Sequence, residues 1–158
     1  MKRADNSRSF TVETVDWSSE KTRLSSIRTE VFIEEQQVPP DLEWDGLDGT
    51  AIHLLALDAD GRAIGCARIL EPNIIGRMAV CKQWRRRGVG SVLLAAAIHL
   101  CRQRGRDSIL LSAQTHAIRF YERAGFRVCS DEYADAGIPH RDMQLLSNAS
   151  PLHAGPSF

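Results

Sequence analysis

Ile74-Ile75-Gly76-Arg77-Met78-Ala79-Val80, then Arg85-Arg86-Arg87-Gly88-Val89-Gly90, then Ser91-Val92-Leu93-Leu94-Ala95-Ala96-Ala97-Ile98-His99-Leu100 form the stretch on which the fold turns. It reads as strand, glycine loop and helix. A helix that starts directly after such a loop offers backbone N–H groups with no intrahelical acceptor. It also offers the positive end of its dipole. Together these suit a phosphate or pyrophosphate group.

Working outward, Phe10 to Val15 alternates apolar and polar residues, a strand signal. Ser18 and Ser19 are candidate N-caps for a helix over about 19–34, stopped by Pro39-Pro40. Asp41 to Gly49 reads as an acidic loop. Ile52 to Leu57 and Ala63 to Leu70 read as strands joined by a hairpin turn at Asp58-Ala59-Asp60-Gly61. Glu71-Pro72-Asn73 breaks into the strand at 74–80. The helix after the glycine loop places Val89, Val92, Leu93, Ala96 and Leu100 on one face, and Gly105 closes it. A buried strand at 109–113, a helix from His116 to Ala124 and strands at 126–133 and 141–146 complete the domain. Helices interspersed with a majority of strands give an α/β or α+β class. Residues 1–9 and 147–158 read as disordered ends around one domain at 10–146.

Composition sets bounds. The chain has 158 residues, 43% of them hydrophobic, 25% charged and with a formal net charge of zero. One domain of that size buries a real core. Balanced charge and the absence of an interleaved aromatic platform weigh against a nucleic-acid binder, despite the basic run Arg85-Arg86-Arg87. A polar start and no apolar run near the roughly 20 residues that span a bilayer point to a cytoplasmic protein with no membrane partner. Cys66, Cys81, Cys101 and Cys129 show no zinc spacing and read as reduced thiols; the five histidines form no metal-binding pair, so no metal is expected.

The glycine loop is not a Walker A loop, because no Lys-Ser or Lys-Thr follows Gly88 or Gly90. A dinucleotide fingerprint fails too: Leu93 stands where the third glycine belongs, and Ile109 to Leu111 hold no acidic residue. What remains is R-x-x-G-x-G opening a helix, with Phe120-Tyr121-Glu122-Arg123-Ala124-Gly125-Phe126 downstream. The pair resembles the signature of the GNAT superfamily of N-acyltransferases, over about residues 10–146. Arg28 to Gln36, Asp45-Gly46-Leu47-Asp48, His53, Ala67-Arg68-Ile69, Ile75-Gly76-Arg77, Ala113 to His116 and Gly137-Ile138-Pro139-His140 are similar to its ElaA-like group. Val38 stands where that group often carries a cysteine, so no redox chemistry is expected there.

The resemblance implies a mixed, mainly antiparallel sheet of about six or seven strands, flanked by about four helices. A splayed strand pair in it would hold acyl-CoA. Acetyl-CoA is the implied co-substrate and a small-molecule or peptide amine the acceptor, attacked directly in a ternary complex. A homodimer is an open alternative. Arg85, Arg86, Arg87, Gly88, Val89, Gly90 and Ser91 would hold the pyrophosphate. Met78, Ala79 and Val80 would pair with the pantetheine arm through their backbone, and His116 would touch the same ligand. Tyr121 occupies the position of the catalytic acid, or of a donor to the CoA sulfur. The strand at 74–80 has no carboxylate to serve as base, which leaves Glu34, Glu35, Glu71, His116 and His140. The acidic loop with Glu43, Asp45 and Asp48 fits either a cationic acceptor or plain solvation. A silent acyl-CoA-binding module is the alternative function. A cysteine-linked route through Cys81 is a minor one.

Overall fold

A computed structural model describes residues 9–105 and 108–146. The ends read above as disordered lie outside the described residues, apart from Ser9. Eight strands form one sheet. They are β1 (Phe10–Val15), β2 (Ile52–Asp58), β3 (Ala63–Leu70), β4 (Ile74–Val80), β5 (Ser108–Gln114), β6 (Arg127–Val128), β7 (Tyr133–Asp135) and β8 (Ile138–Leu146). The order is β1-β2-β3-β4-β5-β8-β6, with β7 also on β8. Every pairing is antiparallel except β4 with β5. Four α-helices flank it: α1 (Trp17–Arg28), α2 (Pro40–Glu43), α3 (Val89–Gln103) and α4 (Ile118–Glu122).

The sheet separates two cores. Leu54, Ala56, Ile69 and Ile75 meet α3 and the C-terminal strands on one face. Leu55, Leu57, Cys66 and Ala79 meet Leu24, Ile27 and Phe32 on the other. The period-two alternation of β2 divides its leucines between them. Cys66, Cys81 and Cys101 are buried free thiols, and Cys129 is exposed.

Several expectations change. The helix expected over 19–34 starts at Trp17 and widens to a π-helix over Thr29–Glu35. Its N-cap is Asp16, not a serine. Pro40 does not simply stop a helix; it opens α2, where its missing N–H costs nothing. The stripe on α3 is Val89, Leu93, Ala97 and Cys101 with Leu94 and Ile98, while Val92 is 44% exposed. That face is rotated from the expected one because the α3 core lies against β2 and β3. The strand expected at 126–133 survives only as β6 and the start of β7, so the sheet has eight strands. Ala136 and Gly137, with φ of +52° and +75°, link β7 to β8 as a two-residue turn of the I′ kind.

Candidate active site

β4 pairs with β5 only at Ile74↔Leu110 and Ile75↔Leu111. Beyond Ile75 the two strands part. The cause lies on the other edge of β4. Between Cys66 and Arg68 β3 advances two residues, while β4 advances three, from Gly76 to Ala79. Arg77 sits in this bulge with φ +47°, a left-handed conformation costly for a side chain of its size. The bulge twists β4 away from β5 and leaves the edge at Met78 to Val80 without a strand partner there.

The split opens into a cavity of about 610 Å³. Met78, Ala79, Val80, Arg85, His116 and Tyr121 all line it, as the sequence predicts for the cofactor side. Arg86, Arg87, Gly88, Val89 and Gly90 do not; they form the loop and first turn of α3 at its rim. Gly88 is the N-cap of α3, with φ +85°, a conformation that disfavours any other residue. The first helical bond runs from Val92 N–H to Gly88 O, so the N–H groups of Val89, Gly90 and Ser91 have no intrahelical acceptor. The Val89 side chain is buried, so only its backbone can serve a ligand. A Cβ on Gly90 would sit 3.4 Å from Phe120 Cζ and 3.7 Å from Val80 Cγ2. Phe120 and Ser91 line a second groove, of about 510 Å³, between α3 and α4. Gly90 therefore packs between Val80, which lines the first cavity, and Phe120, which lines the second groove.

The arginines divide. Arg85 donates to both carboxylate oxygens of Glu35, at 2.8 and 2.7 Å, and from Nε to Val80 O. Its charge is thus already matched by Glu35. Arg87 lies 5.0 Å over the Trp84 ring. The bond from Arg85 holds the Glu35 carboxyl below its ordinary range.

Tyr121 is wedged edge-on against Phe120 and Phe126, with ring centroids 5.0 and 6.1 Å away. Burial pushes its phenol up to about 12. It stays protonated at every physiological pH, a permanently loaded donor but a weaker acid than ordinary tyrosine.

The opposite wall is a charge network that sequence reading left as a loop. Arg28, 1% exposed, donates to Glu43 at 2.7 Å and Asp48 at 2.6 Å. Arg68 donates to both oxygens of Asp45, at 2.9 and 2.8 Å, and to Asp48 at 3.0 Å. Arg77 ion-pairs with Glu43 and Asp45. Trp17 stacks on His53, whose Nε2 lies 2.8 Å from Asp48 O. Burial pulls the Asp45 carboxyl up, but the bonds from Arg68 and Leu47 N–H outweigh it and bring the group down to about 2. Burial also pushes Glu43 up, against the pull of Arg28 and Arg77. Glu43, Asp45 and Asp48 of the acidic loop are therefore not a free cation trap: three arginines neutralise these three carboxylates. The only cue in the sequence is that Arg28, Arg68, Arg77, Asp45 and Asp48 all fall inside the family-like motifs.

The family model of the acetyltransferase (GNAT) domain matches residues 16–147. The chain belongs to the GNAT acetyltransferase family. It is 36% identical to the N-acetyltransferase YjcF of Bacillus subtilis over 121 residues, 74% of this chain and 86% of that protein. It is 34% identical to ElaA of Escherichia coli over 128 residues, 76% and 83% of the two chains. The crystal structure of E. coli ElaA superposes with a TM-score of 0.77 at 29% identity, covering 86% of this chain and 99% of that one. An acyl-CoA N-acyltransferase from Pseudomonas aeruginosa gives 0.76 at 32% identity, over 86% and 99%. GNAT membership and the ElaA likeness agree with the resemblance read from the motifs. Among the described residues no helix is long and apolar enough to cross a membrane.

Proposed function

We propose that this chain is an acetyl-CoA-dependent N-acetyltransferase that acts on a primary amine by direct attack in a ternary complex. The observation that carries the reading is the split of β4 from β5, which opens between the glycine cradle and Tyr121. Free strand edge at Met78 to Val80 suits the amide groups of a pantetheine arm, and backbone donors there polarise a thioester carbonyl. One such donor contributes roughly 10²–10³ in rate. The N–H groups of Val89, Gly90 and Ser91, with Arg86 and Arg87, suit the pyrophosphate. Tyr121 serves the departing sulfur. The reading gives Cys81 no role: it is buried outside the cavity lining, and burial pushes its thiol up to about 12, which disfavours the attacking thiolate.

The second reading, a silent acyl-CoA-binding module, draws on the charge pattern. β4 carries Arg77 and no carboxylate, and the carboxylates Glu35 and Glu43 at the cavity are held by arginines. One experiment separates the two. Acetyl-CoA is titrated calorimetrically, then release of CoA thiol is followed with spermidine, glucosamine, an aminoglycoside and peptides bearing a free N-terminus or a lysine. Binding with turnover of any of these supports the enzyme; binding without turnover supports the module. Gly88→Val should weaken acetyl-CoA binding at least tenfold at unchanged circular dichroism. Unchanged affinity would remove the loop from the donor site.

A further inference from the structure

An alkyl ammonium cannot attack a thioester, so the acceptor must first lose a proton. Three carboxylates line the cavity, and two of them, Glu35 and Glu43, are poorly placed to take it; the third, Asp135, is exposed at the end of β7 beside the hairpin turn. Glu35 is clamped by Arg85, and Glu43 is held on one oxygen by Arg28 and on the other by Arg77. Glu34 and Glu71 lie outside the cavity lining, and Glu71 is paired with Arg104. Two histidines line the cavity. His116 is exposed on a single 3₁₀ turn. His140 is 9% exposed and held by a specific bond.

We propose that His140 is the general base, its Nε2 taking the proton of the acceptor ammonium. This rests on the acyltransferase reading above. His140 Nδ1 lies 2.7 Å from Ile138 O. A carbonyl only accepts, so Nδ1 carries the hydrogen and the lone pair of the neutral ring sits on Nε2. Nε2 has no hydrogen-bond partner among the described residues. Nor is it one of the sealed, partnerless side-chain atoms, which are on Arg68, Asn73 and Arg77. The remaining open edge of the ring therefore belongs to the cavity it lines.

The hairpin builds this pose. The two-residue turn at Ala136-Gly137 sets His140 opposite Tyr133, while β5 sets it opposite Gln114. The Tyr133 ring stacks on the imidazole at 6.1 Å and 20°. Tyr133 is itself fixed by Asp142, at 2.5 Å, and by Ser112. Gln114 reaches across to Gln36 at 2.7 Å, joining this wall to the π-helix. The ring is thus oriented on both its bonded edge and its stacked face before any ligand arrives. The charged or titratable groups facing the ring are Asp135, Tyr133 and Asp142 on the hairpin side and Glu35, Glu43, Arg68, Arg77, Arg85, His116 and Tyr121 around the cavity.

The proton count closes. One ammonium proton passes to Nε2, and the freed nitrogen lone pair forms the C–N bond at the thioester carbonyl. The C–S bond breaks with its electron pair on sulfur, which takes a proton from Tyr121. The phenol regains the one surplus N–H proton of the acylated nitrogen. The products are an amide, CoA thiol and one proton, released to water from His140.

The test compares His140→Gln with the wild type on whichever alkylamine of the panel above is turned over fastest. We expect kcat/KM to fall at least 10²-fold at pH 7, the range for a lost general base. The deficit should shrink about tenfold per unit as pH rises toward the amine's own pKa, with acetyl-CoA affinity unchanged. Hydroxylamine, already a free base at pH 7, should lose far less. An unimpaired variant beside an active wild type overturns the role of His140 alone; a wild type inert to every amine overturns the acyltransferase reading as well. Long-range ¹H–¹⁵N correlation on imidazole-labelled wild type needs neither variant nor acceptor. It should show His140 as the Nδ1–H tautomer, and the Nε2–H form would refute the proposal.

Discussion

Tyr121→Phe isolates one oxygen. The ring stays wedged between Phe120 and Phe126, so shape and packing are kept and only the hydroxyl goes. With the phenol pushed up to about 12, it is a weak acid toward sulfur. A free thiol ionises near 8.5, so full transfer to a relaxed thiolate is uphill by about 3.5 units, or about 5 kcal/mol at 1.36 kcal/mol per unit. The proton therefore does not arrive ahead of bond cleavage. The hydroxyl hydrogen-bonds to sulfur as charge develops there, and transfer completes late. Loss of one donor aimed at a developing anion costs about 2.7–4 kcal/mol, or 10²–10³ in kcat. The assay is steady-state thiol release with saturating acetyl-CoA, paired with a calorimetric Kd. We expect kcat to fall 10²–10³-fold and Kd to move less than threefold. Because burial raises the phenol, Tyr121 should produce no alkaline loss of activity below pH 10. A fall in kcat under fivefold, or an alkaline limb near pH 9–10 that vanishes in Tyr121→Phe, would refute this account.

Two further predictions concern the charge network. Arg28→Met removes the most deeply buried cation of the network and leaves Glu43 to Arg77 and Asp48 to Arg68, a loss of about 3–5 kcal/mol. At about 2–4 °C per kcal/mol for a chain of this size, Tm should drop by about 6–20 °C in a thermal melt. Arg28→Lys should recover little of it, since an ammonium cannot reproduce the planar fork across two carboxylates; a Tm within 3 °C of wild type for either variant contradicts the buried pairing. Acid should unfold the chain early. Asp45 titrates at about 2 when folded and near 3.8 when unfolded, so its stabilisation is complete above about pH 4 and is lost as pH falls toward 2. The lost amount is about 2 kcal/mol at most, since its side chain is 26% exposed and partly screened by solvent. His53 acts in the same sense at higher pH, because burial lowers it and protonation then favours the unfolded chain. Urea melts between pH 7 and 2 should show Asp45→Asn flattening the curve below pH 4; parallel curves would count against the assignment.

The proposed donor half of the site is the more legible because it is local. Six consecutive residues, Arg85 to Gly90, fold into the loop and helix start whose free backbone N–H groups carry the proposed phosphate site. Gly88 is required by a single φ that neighbours cannot change. Tyr121 lies 31 residues beyond Gly90, yet its motif carries its own turn at Gly125. The acceptor half depends on long-range partnership. Nothing near Glu43 in sequence says that Arg28 and Arg77 will close on it. Nothing near Glu35 announces Arg85, fifty residues on. These carboxylates therefore read as candidate bases or cation sites until the fold neutralises them. His140 is the intermediate case. Its bond to Ile138 O is two residues away, but the hairpin that aims it turns on Ala136-Gly137. The usual signal for a I′ turn is Asn-Gly or Asp-Gly, and alanine at φ +52° hides it. Charge on a side chain was a poor guide to function here, because so many of the charges cancel in pairs across the sheet. The groups proposed here to do chemistry are ones the fold leaves with an open position: the N–H groups of the first α3 turn, the Tyr121 hydroxyl and His140 Nε2.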